Sequence, residues 1–304
     1  MTVALSVAAF GGGAWLLVES VESLVKALTA WALAAGLSGL ALSALVLGFD
    51  LESTGAGIAA SLDGLPGTAI GTSIGAGIFL ITVGLGLAAI VAPFEVRTPP
   101  VILGAVGLAT ILPLGLLWDG SLSRADGAFL LLAFVPLVGA VALSLRRGRQ
   151  VPEPSARRPR RLWLRLAAAV AGLVIGAEVL VLGTRGIVDG LGLSETLFGF
   201  LAVAAAVSFE EVVLEMLPAH RGHPEISVGN ALGTLLFLLT ASLGVVALVQ
   251  PVAVPEPVLR YHAPALAVAV VLLGALLARG RLGRPEGTLL VSLYAVYVAG
   301  ALVA

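Results

Sequence analysis

The chain has 304 residues, of which 59% are hydrophobic and only 12% are charged, and its formal net charge is −1. Soluble domains average about 45–50% apolar and about 25% charged residues, so this composition indicates a surface that faces lipid. The small net charge gives no support for a nucleic-acid partner, and the absence of cysteine excludes disulfides and thiolate metal sites.

Apolar runs follow one another along the whole chain. A helix needs roughly 20 apolar residues to cross a hydrocarbon core of about 30 Å, and about ten runs meet this requirement. In chain order they cover residues 3–25, 30–60, 66–92, 99–118, 127–145, 162–187, 193–219, 225–250, 259–279 and 286–303. Glycine and alanine are frequent inside them, as in membrane helices that pack closely. The pattern predicts an all-α polytopic membrane protein.

A basic segment separates the fifth run from the sixth. Residues 146–161 contain seven Arg and three Pro, which predicts a linker, and basic loops remain on the cytoplasmic side. With ten spans, both termini then lie outside, and 14 of the 17 basic residues lie inside. We expect a multi-pass protein of the plasma membrane whose loop 146–161 is cytoplasmic.

The linker divides the chain into two halves, residues 1–145 and 162–304, with five predicted spans each. Because five is odd, two similar halves have opposite orientations, an arrangement that many secondary transporters share. The halves match at a constant offset of 158 residues. The matched positions are Glu52 with Glu210, Pro66 with Pro224, Gly71 with Gly229, Gly75 with Gly233, Phe79 with Phe237, and Leu85-Gly86 with Leu243-Gly244.

At these motifs the sequence resembles the cation/calcium exchanger superfamily, whose halves each carry a segment like GTSxPE followed by one like GNxxGSNxFN. The second half follows this pattern more closely than the first, in AVSFEEVVLE and GNALGTLLF. The resemblance implies a sodium/calcium exchanger-like fold with ten helices in two inverted five-helix repeats. It also implies broken second and seventh helices that face each other, with ion sites midway across the membrane.

The resemblance assigns cation ligands residue by residue. The motif Glu of the second half falls on Glu211 and its Ser on Ser208. In the first half the ungapped register puts Ser53 at the motif Glu, whereas one inserted residue restores Glu52, and the sequence leaves both registers open. Thr234 replaces the motif Ser of the second half.

Other ligand positions of the family are lost. The Ser of the first half is Ala76, and the motif Asn or Asp is Leu80 in one half and Leu238 in the other. Because Ca²⁺ takes about six to eight oxygen ligands, these changes favour fewer ions or a different ion, although Asp50 and Glu210 add two acids.

The acids near the two motifs are candidates on physical grounds as well. A charge at the bilayer centre costs about 2.5–3.5 kcal/mol on insertion scales, so acids inside spans are functional candidates. Their carboxylate oxygens, with the hydroxyls of Ser53, Thr54 and Ser208 and freed backbone carbonyls, suit a hard cation such as Ca²⁺ or Na⁺. The acids are Asp50, Glu52, Glu210 and Glu211, and two opposed acids can share a proton. Under the alternative interpretation, they are interfacial acids paired with Arg.

Three further acids, Glu19, Glu22 and Glu215, could line an ion path. Glu19 and Glu22 share one face of the first helix, but an interfacial position near Lys26 explains them equally well. His220 and His223 suggest an exposed turn rather than a metal site, because a metal site needs three or four converging ligands.

We therefore predict a secondary-active antiporter that exchanges Ca²⁺ or another cation for Na⁺ or H⁺, with Glu52 and Glu211 as the metal-binding carboxylates. The alternatives are a Na⁺ or K⁺/H⁺ antiporter without calcium transport, and a non-transporting membrane scaffold or sensor. The sequence carries no catalytic motif, so we expect no enzyme activity and no cofactor apart from the transported cation. The expected partners are inorganic cations and the lipid bilayer, and no protein partner is indicated.

Overall fold

A computed structural model of the chain describes residues 2–34, 49–146, 162–192, 194–222 and 224–303. Several helical residues in these ranges, Glu22 and Glu210 among them, are described by their backbone alone. The predicted linker lies outside the described residues apart from Arg146. Six of the described helices are long and apolar enough to cross a membrane: Pro66–Val91, Pro100–Asp119, Arg124–Ser144, Ala167–Leu191, Ser227–Val249 and Val258–Ala278. The predicted all-α membrane fold is confirmed.

The first half contains six described helices. The helices are α1 (Val3–Ala34), α2 (Leu51–Leu62), α3 (Pro66–Phe79), α4 (Leu85–Val91), α5 (Pro100–Leu116) and α6 (Arg124–Arg146). A helix starts at Leu51, inside the predicted span 30–60, which agrees with the broken second helix that the resemblance implies. A π-helical turn, Leu80–Gly84, joins α3 to α4.

The second half repeats this order. Its helices are α7 (Leu162–Leu191), α8 (Glu195–Phe198), α9 (Ala204–Val207), α10 (Phe209–His220), α11 (Pro224–Phe237), α12 (Leu243–Val249), α13 (Ala263–Ala278) and α14 (Arg284–Ala301). π-helical turns occupy Gly199–Val203, Leu238–Ser242 and Val258–His262. Ser208 separates α9 from α10 and so interrupts the predicted span 193–219.

The helix bounds follow the offset of 158 residues without a gap from residue 51 to residue 91. At that offset α2 matches α10, α3 matches α11, α4 matches α12, and the two π turns between them match as well. Even the turn glycines agree, because Gly64 and Gly222 both have positive φ angles of 70° and 82°. The two related halves that the sequence predicts are confirmed in the described helices.

Two short antiparallel ladders join loops of opposite halves, and the sequence analysis did not predict them. The strands are β1 (Phe94–Glu95), β2 (Ser121–Leu122), β3 (Val252–Ala253) and β4 (Arg281–Leu282). β1 pairs with β4, and β2 pairs with β3. Beside each ladder an arginine caps the last turn of a helix from the other half: Arg124 Nε donates to Leu248 O at 3.1 Å, and Arg284 Nε donates to Ile90 O at 3.3 Å.

Glycines let α3 approach the second half closely. A Cβ atom at Gly71 would lie 2.8 Å from the carbonyl carbon of Gly199, and one at Gly75 would lie 2.7 Å from the carbonyl oxygen of Phe200. A Cβ at the matching Gly229 or Gly233 would meet nothing within 4 Å, so of these four glycines only Gly71 and Gly75 are positions of close helix packing. The same principle brings α1 against α7, where a Cβ at Gly176 would lie 2.8 Å from the backbone nitrogen of Leu17.

We expect Gly75→Val to lower the thermal midpoint of unfolding in detergent, because the added carbons would meet the backbone at Phe200. Overpacking of this kind costs about 1–3 kcal/mol. Gly104→Val is the matched control, since Gly104 is exposed on α5 and a Cβ there meets nothing within 4 Å. Equal midpoints for the two variants, measured by fluorescence-detected unfolding, would contradict the proposed close packing.

Candidate cation-binding site

Two helices of the candidate site begin inside apolar runs of the sequence. α2 begins directly after Asp50, and α10 begins directly after Ser208. A helix start leaves backbone N–H groups without intrahelical partners and favours negative charge nearby. Carboxylates that sit at these two points are therefore stabilised by the backbone itself.

Asp50 caps the start of α2. Its Oδ1 atom accepts a hydrogen bond from the backbone N–H of Ser53 at 2.8 Å, and the hydroxyl of Ser53 donates to Oδ2 at 2.6 Å. The two side chains are buried, with exposed fractions of 5% and 0%. An N-cap of this type contributes about 1 kcal/mol to helix stability, so this acid has a structural use in addition to any role in ion binding.

Glu52 and Glu211 lie in the first turns of α2 and α10 and are buried, with exposed fractions of 3% and 5%. The ungapped helix bounds align Ser53, not Glu52, with Glu211. The two acids therefore stand one position apart on equivalent helices, which corresponds to about 100° around the helix axis. Inverted symmetry relates their helices but not their side chains.

Asn230 on α11 binds Glu211 directly. Its side-chain nitrogen donates to Glu211 Oε2 at 2.7 Å, whereas its buried Oδ1 atom has no hydrogen-bond partner among the described residues. The sequence analysis considered only the glycines of the segment Gly229–Gly233 and missed this asparagine. An amide inside an apolar run was the signal that could have identified it.

Two buried hydroxyl side chains lie near Glu211 and Asn230 along the chain, one directly before α10 and one on α11. Ser208 and Thr234 have exposed fractions of 1% and 0%, and neither side-chain oxygen has a hydrogen-bond partner in the part of the chain that the structure describes. Oxygen atoms of this kind are the ligands that hard cations prefer. The two residues therefore remain candidate ligands.

A cluster of three hydroxyls connects the two halves beside α2. Thr54 donates to Ser242 Oγ at 2.9 Å, and Ser73 Oγ lies 3.2 Å from the same atom. The sequence analysis named only Thr54 of these residues. It missed Ser73 and Ser242 because a hydroxyl in an apolar helix can equally bond its own backbone, as Thr110 does to Val106 O at 2.9 Å. We call Thr54, Ser73 and Ser242 the hydroxyl cluster.

The π turns begin at the two positions where the resemblance implies lost ligands. Leu80 and Leu238 start the turns Leu80–Gly84 and Leu238–Ser242, and both side chains are buried, with exposed fractions of 1% and 0%. They offer no side-chain oxygen. A π turn, however, shifts the backbone hydrogen-bond pattern and often occurs at functional sites, so backbone carbonyls of these turns become possible ligands.

The remaining predicted residues occupy varied positions. Glu215 is fully buried on α10, whereas Glu19 is exposed on α1. The side chains of Glu22 and Glu210 lie outside the described part, and so does His223. Within the described ranges no three His, Asp or Glu side chains converge as a metal cluster.

On the face of the fold near Gly64, polar contacts join the halves as well. Arg185 on α7 forms an ion pair with Asp63 at 3.3 Å. Glu195 accepts hydrogen bonds from the backbone N–H groups of Gly67 and Thr68, at 3.1 and 2.5 Å, and so caps α3 from the other half. These contacts hold α2 and α3 against α7 and α8 at that face.

Comparisons with known proteins agree with this architecture. The sequence model of the family described as "Sodium/calcium exchanger protein" matches residues 5–142 and 161–303. The inner membrane protein YrbG of Escherichia coli is 32% identical over 260 residues, which cover 79% of this chain and 78% of that protein. The putative antiporter CaxA of Alkalimonas amylolytica is 25% identical over 286 residues, which cover 85% and 88%.

A solved structure extends the match to nearly the whole fold. The structure of the sodium-calcium exchanger NCX_Mj, soaked with Na⁺ and Sr²⁺, superposes with a TM-score of 0.69 at 26% sequence identity. The match covers 98% of this chain and 99% of the other. The architecture and the family thus agree between sequence and structure comparisons.

We expect Thr54→Val and Ser242→Ala to lower stability by about 0.5–1.5 kcal/mol each, the usual net value of one hydrogen bond. Because Thr54 donates to Ser242, the double variant should lose less than the sum of the single losses. Thermal midpoints of the four proteins in detergent measure this coupling. Thr110→Val, which loses a bond within its own helix, is the control, and strict additivity would contradict the cluster.

Proposed function

The chain belongs to the sodium/calcium exchanger protein family, and we propose that it is a secondary-active antiporter whose central carboxylates are Glu52 and Glu211. One cation, Ca²⁺ or another, binds between α2 and α10. The countercation, Na⁺ or H⁺, takes the same carboxylates on the return step. Competition for shared carboxylates is what couples the two fluxes.

The observation that carries this proposal is the burial of one acid at each of two interrupted helices from opposite halves. Glu52 and Glu211 have exposed fractions of only 3% and 5%. A buried carboxylate is costly in an apolar surrounding unless a partner or a cation compensates its charge. Helix starts at mid-span, where the chain leaves its regular hydrogen bonding, are the usual binding points of secondary transporters.

The charge of the site limits which cations fit. Two carboxylates balance one divalent cation or two monovalent cations, and the hydroxyls of Ser53 and Ser208 add neutral oxygens. Relatives point in the same direction, since NCX_Mj is described as a sodium-calcium exchanger and CaxA as a putative antiporter. Calcium and sodium are therefore the first ions to test.

A Na⁺ or K⁺/H⁺ antiporter is the second candidate. It is favoured by Leu80 and Leu238, two buried side chains without oxygen at positions where the family supplies ligands. A site with fewer side-chain oxygens satisfies the about six to eight ligands of Ca²⁺ less readily. Backbone carbonyls of the adjoining π turns would have to supply the difference.

The orientation is also a proposal. We place the segment 146–161 in the cytoplasm and both termini outside, on the basis of its seven arginines. The naming of YrbG as an inner membrane protein supports a plasma-membrane location. The five-helix halves 1–145 and 162–304 then span the membrane in opposite orientations.

We expect Glu211→Gln to abolish exchange in reconstituted vesicles while the protein stays folded. The amide preserves shape but removes the charge that a cation needs. Uptake of ⁴⁵Ca²⁺ against outward Na⁺ or H⁺ gradients, with a pH-sensitive dye inside, measures the activity and identifies the countercation.

The control for this experiment is Glu256→Gln, which changes an exposed acid whose ion pair with Arg260 lies at the surface. Undiminished flux in Glu211→Gln would contradict the assignment of the carboxylate. Wild-type vesicles that carry no cation flux and show no ion-dependent stabilisation would instead support a non-transporting scaffold or sensor.

A further inference from the structure

Glu215 has surroundings unlike those of the central acids. It lies one turn after Glu211 on α10, its side chain has an exposed fraction of 0%, and neither carboxylate oxygen has a hydrogen-bond partner in the described chain. An unsatisfied buried polar group costs about 1–3 kcal/mol, and more when it is charged. A buried carboxyl group of this kind needs compensation by a proton or a cation.

The carboxylate occupies a space that a glycine leaves open. A Cβ atom added at Gly84, the last residue of the π turn Leu80–Gly84, would overlap with Glu215 Oε2. α10 and α11 both pack against this π turn and against α4. The acid of the second half thus reaches into a junction of three helices, one of which belongs to the first half.

The equivalent place in the other half is built differently. At the offset of 158 residues, Glu215 corresponds to Gly57 and Gly84 corresponds to Ser242. Ser242 belongs to the hydroxyl cluster and is satisfied by hydrogen bonds to Thr54 and Ser73. In the hydroxyl cluster the polar groups bond one another, whereas the carboxylate of Glu215 has no hydrogen bond among the described residues.

A second unsatisfied oxygen lies on the neighbouring helix. Ser227 is on α11, three residues before Asn230, and Asn230 bonds Glu211, which lies one turn before Glu215 on α10. Ser227 has an exposed fraction of 0%, and its Oγ atom has no hydrogen-bond partner among the described residues. Glu215 and Ser227 are therefore buried, unsatisfied groups on two helices that both pack against the same π turn.

We propose that Glu215 and Ser227 form a second cation position, specific for a monovalent cation such as Na⁺, at the junction of α10, α11 and the Leu80–Gly84 turn. This inference rests on the proposed antiport function. One carboxylate with neutral oxygens balances one positive charge, while the central pair balances two. The position lies between the central carboxylates and the end of α10 at His220, so a cation leaving toward that face passes it.

The test measures the thermal midpoint of the purified full-length protein as a function of Na⁺, with choline holding the ionic strength constant. A cation that binds only the folded state raises the midpoint as its concentration rises. For Glu215→Gln we expect the Na⁺ concentration that gives half of the stabilisation to rise at least tenfold, while the stabilisation by Ca²⁺ is retained. An unchanged Na⁺ response overturns the proposal.

A proton is the competing ligand for the same carboxyl group. If Glu215→Gln keeps the Na⁺ response but removes the pH dependence of the thermal midpoint, Glu215 carries a proton and the Na⁺ assignment is overturned. Glu211→Gln separates this inference from the proposed function, because it should lose the Ca²⁺ response. If neither Na⁺ nor Ca²⁺ raises the thermal midpoint of the wild-type protein, the proposed antiport function is contradicted. The inference about Glu215, which rests on that function, is then overturned with it.

Two further variants test the proposed Na⁺ position if Glu215→Gln does not fold. Ser227→Ala removes one neutral oxygen, and Gly84→Ala fills the space that the carboxylate occupies, and both should weaken the Na⁺ response. Gly107→Ala is the matched control, because a Cβ there meets nothing within 4 Å. A Na⁺ response that is the same in all three variants overturns the proposal.

Discussion

A hydrocarbon interior supplies no hydrogen-bond partner, so every interruption of a spanning helix must be satisfied by the protein itself. The fold depends on this constraint. Where α2 begins at mid-span, Asp50 and Ser53 cap it with their own side chains. Where α10 begins, Glu211 is held by Asn230 instead. The two helix starts therefore lie beside different polar contacts, a side-chain cap at α2 and a carboxylate–amide bond at α10.

The sequence predicted the class of fold because length, hydropathy and charge are properties of whole segments. It also located the acids of the site, since carboxylates are conspicuous in apolar runs. The hydroxyl cluster escaped prediction for a physical reason. Ser73 and Ser242 could each have bonded their own helix, as Thr110 does, and only the packing of three helices decides which partner they take. The β ladders were missed because each strand has only two residues.

The internal repeat accounts for the helix bounds of the two halves but not for the side chains at equivalent positions. From residue 51 to residue 91 the helix bounds repeat at one offset, yet the side chains in the equivalent turns differ. Ser242 bonds two hydroxyls where Gly84 accommodates a carboxylate. A duplicated backbone gives two equivalent helix starts, and the side chains around them differ between the halves.

The two ladders have a consequence for the biosynthesis of the chain. β1 pairs with β4 and β2 pairs with β3, so each loop of the first half finds its partner strand in the second. Arg284, which caps the carbonyl of Ile90, lies 194 residues further along the chain. The strands β1 and β2 of the first half therefore have no partner strand until residues 281–282 and 252–253 of the second half have been synthesised.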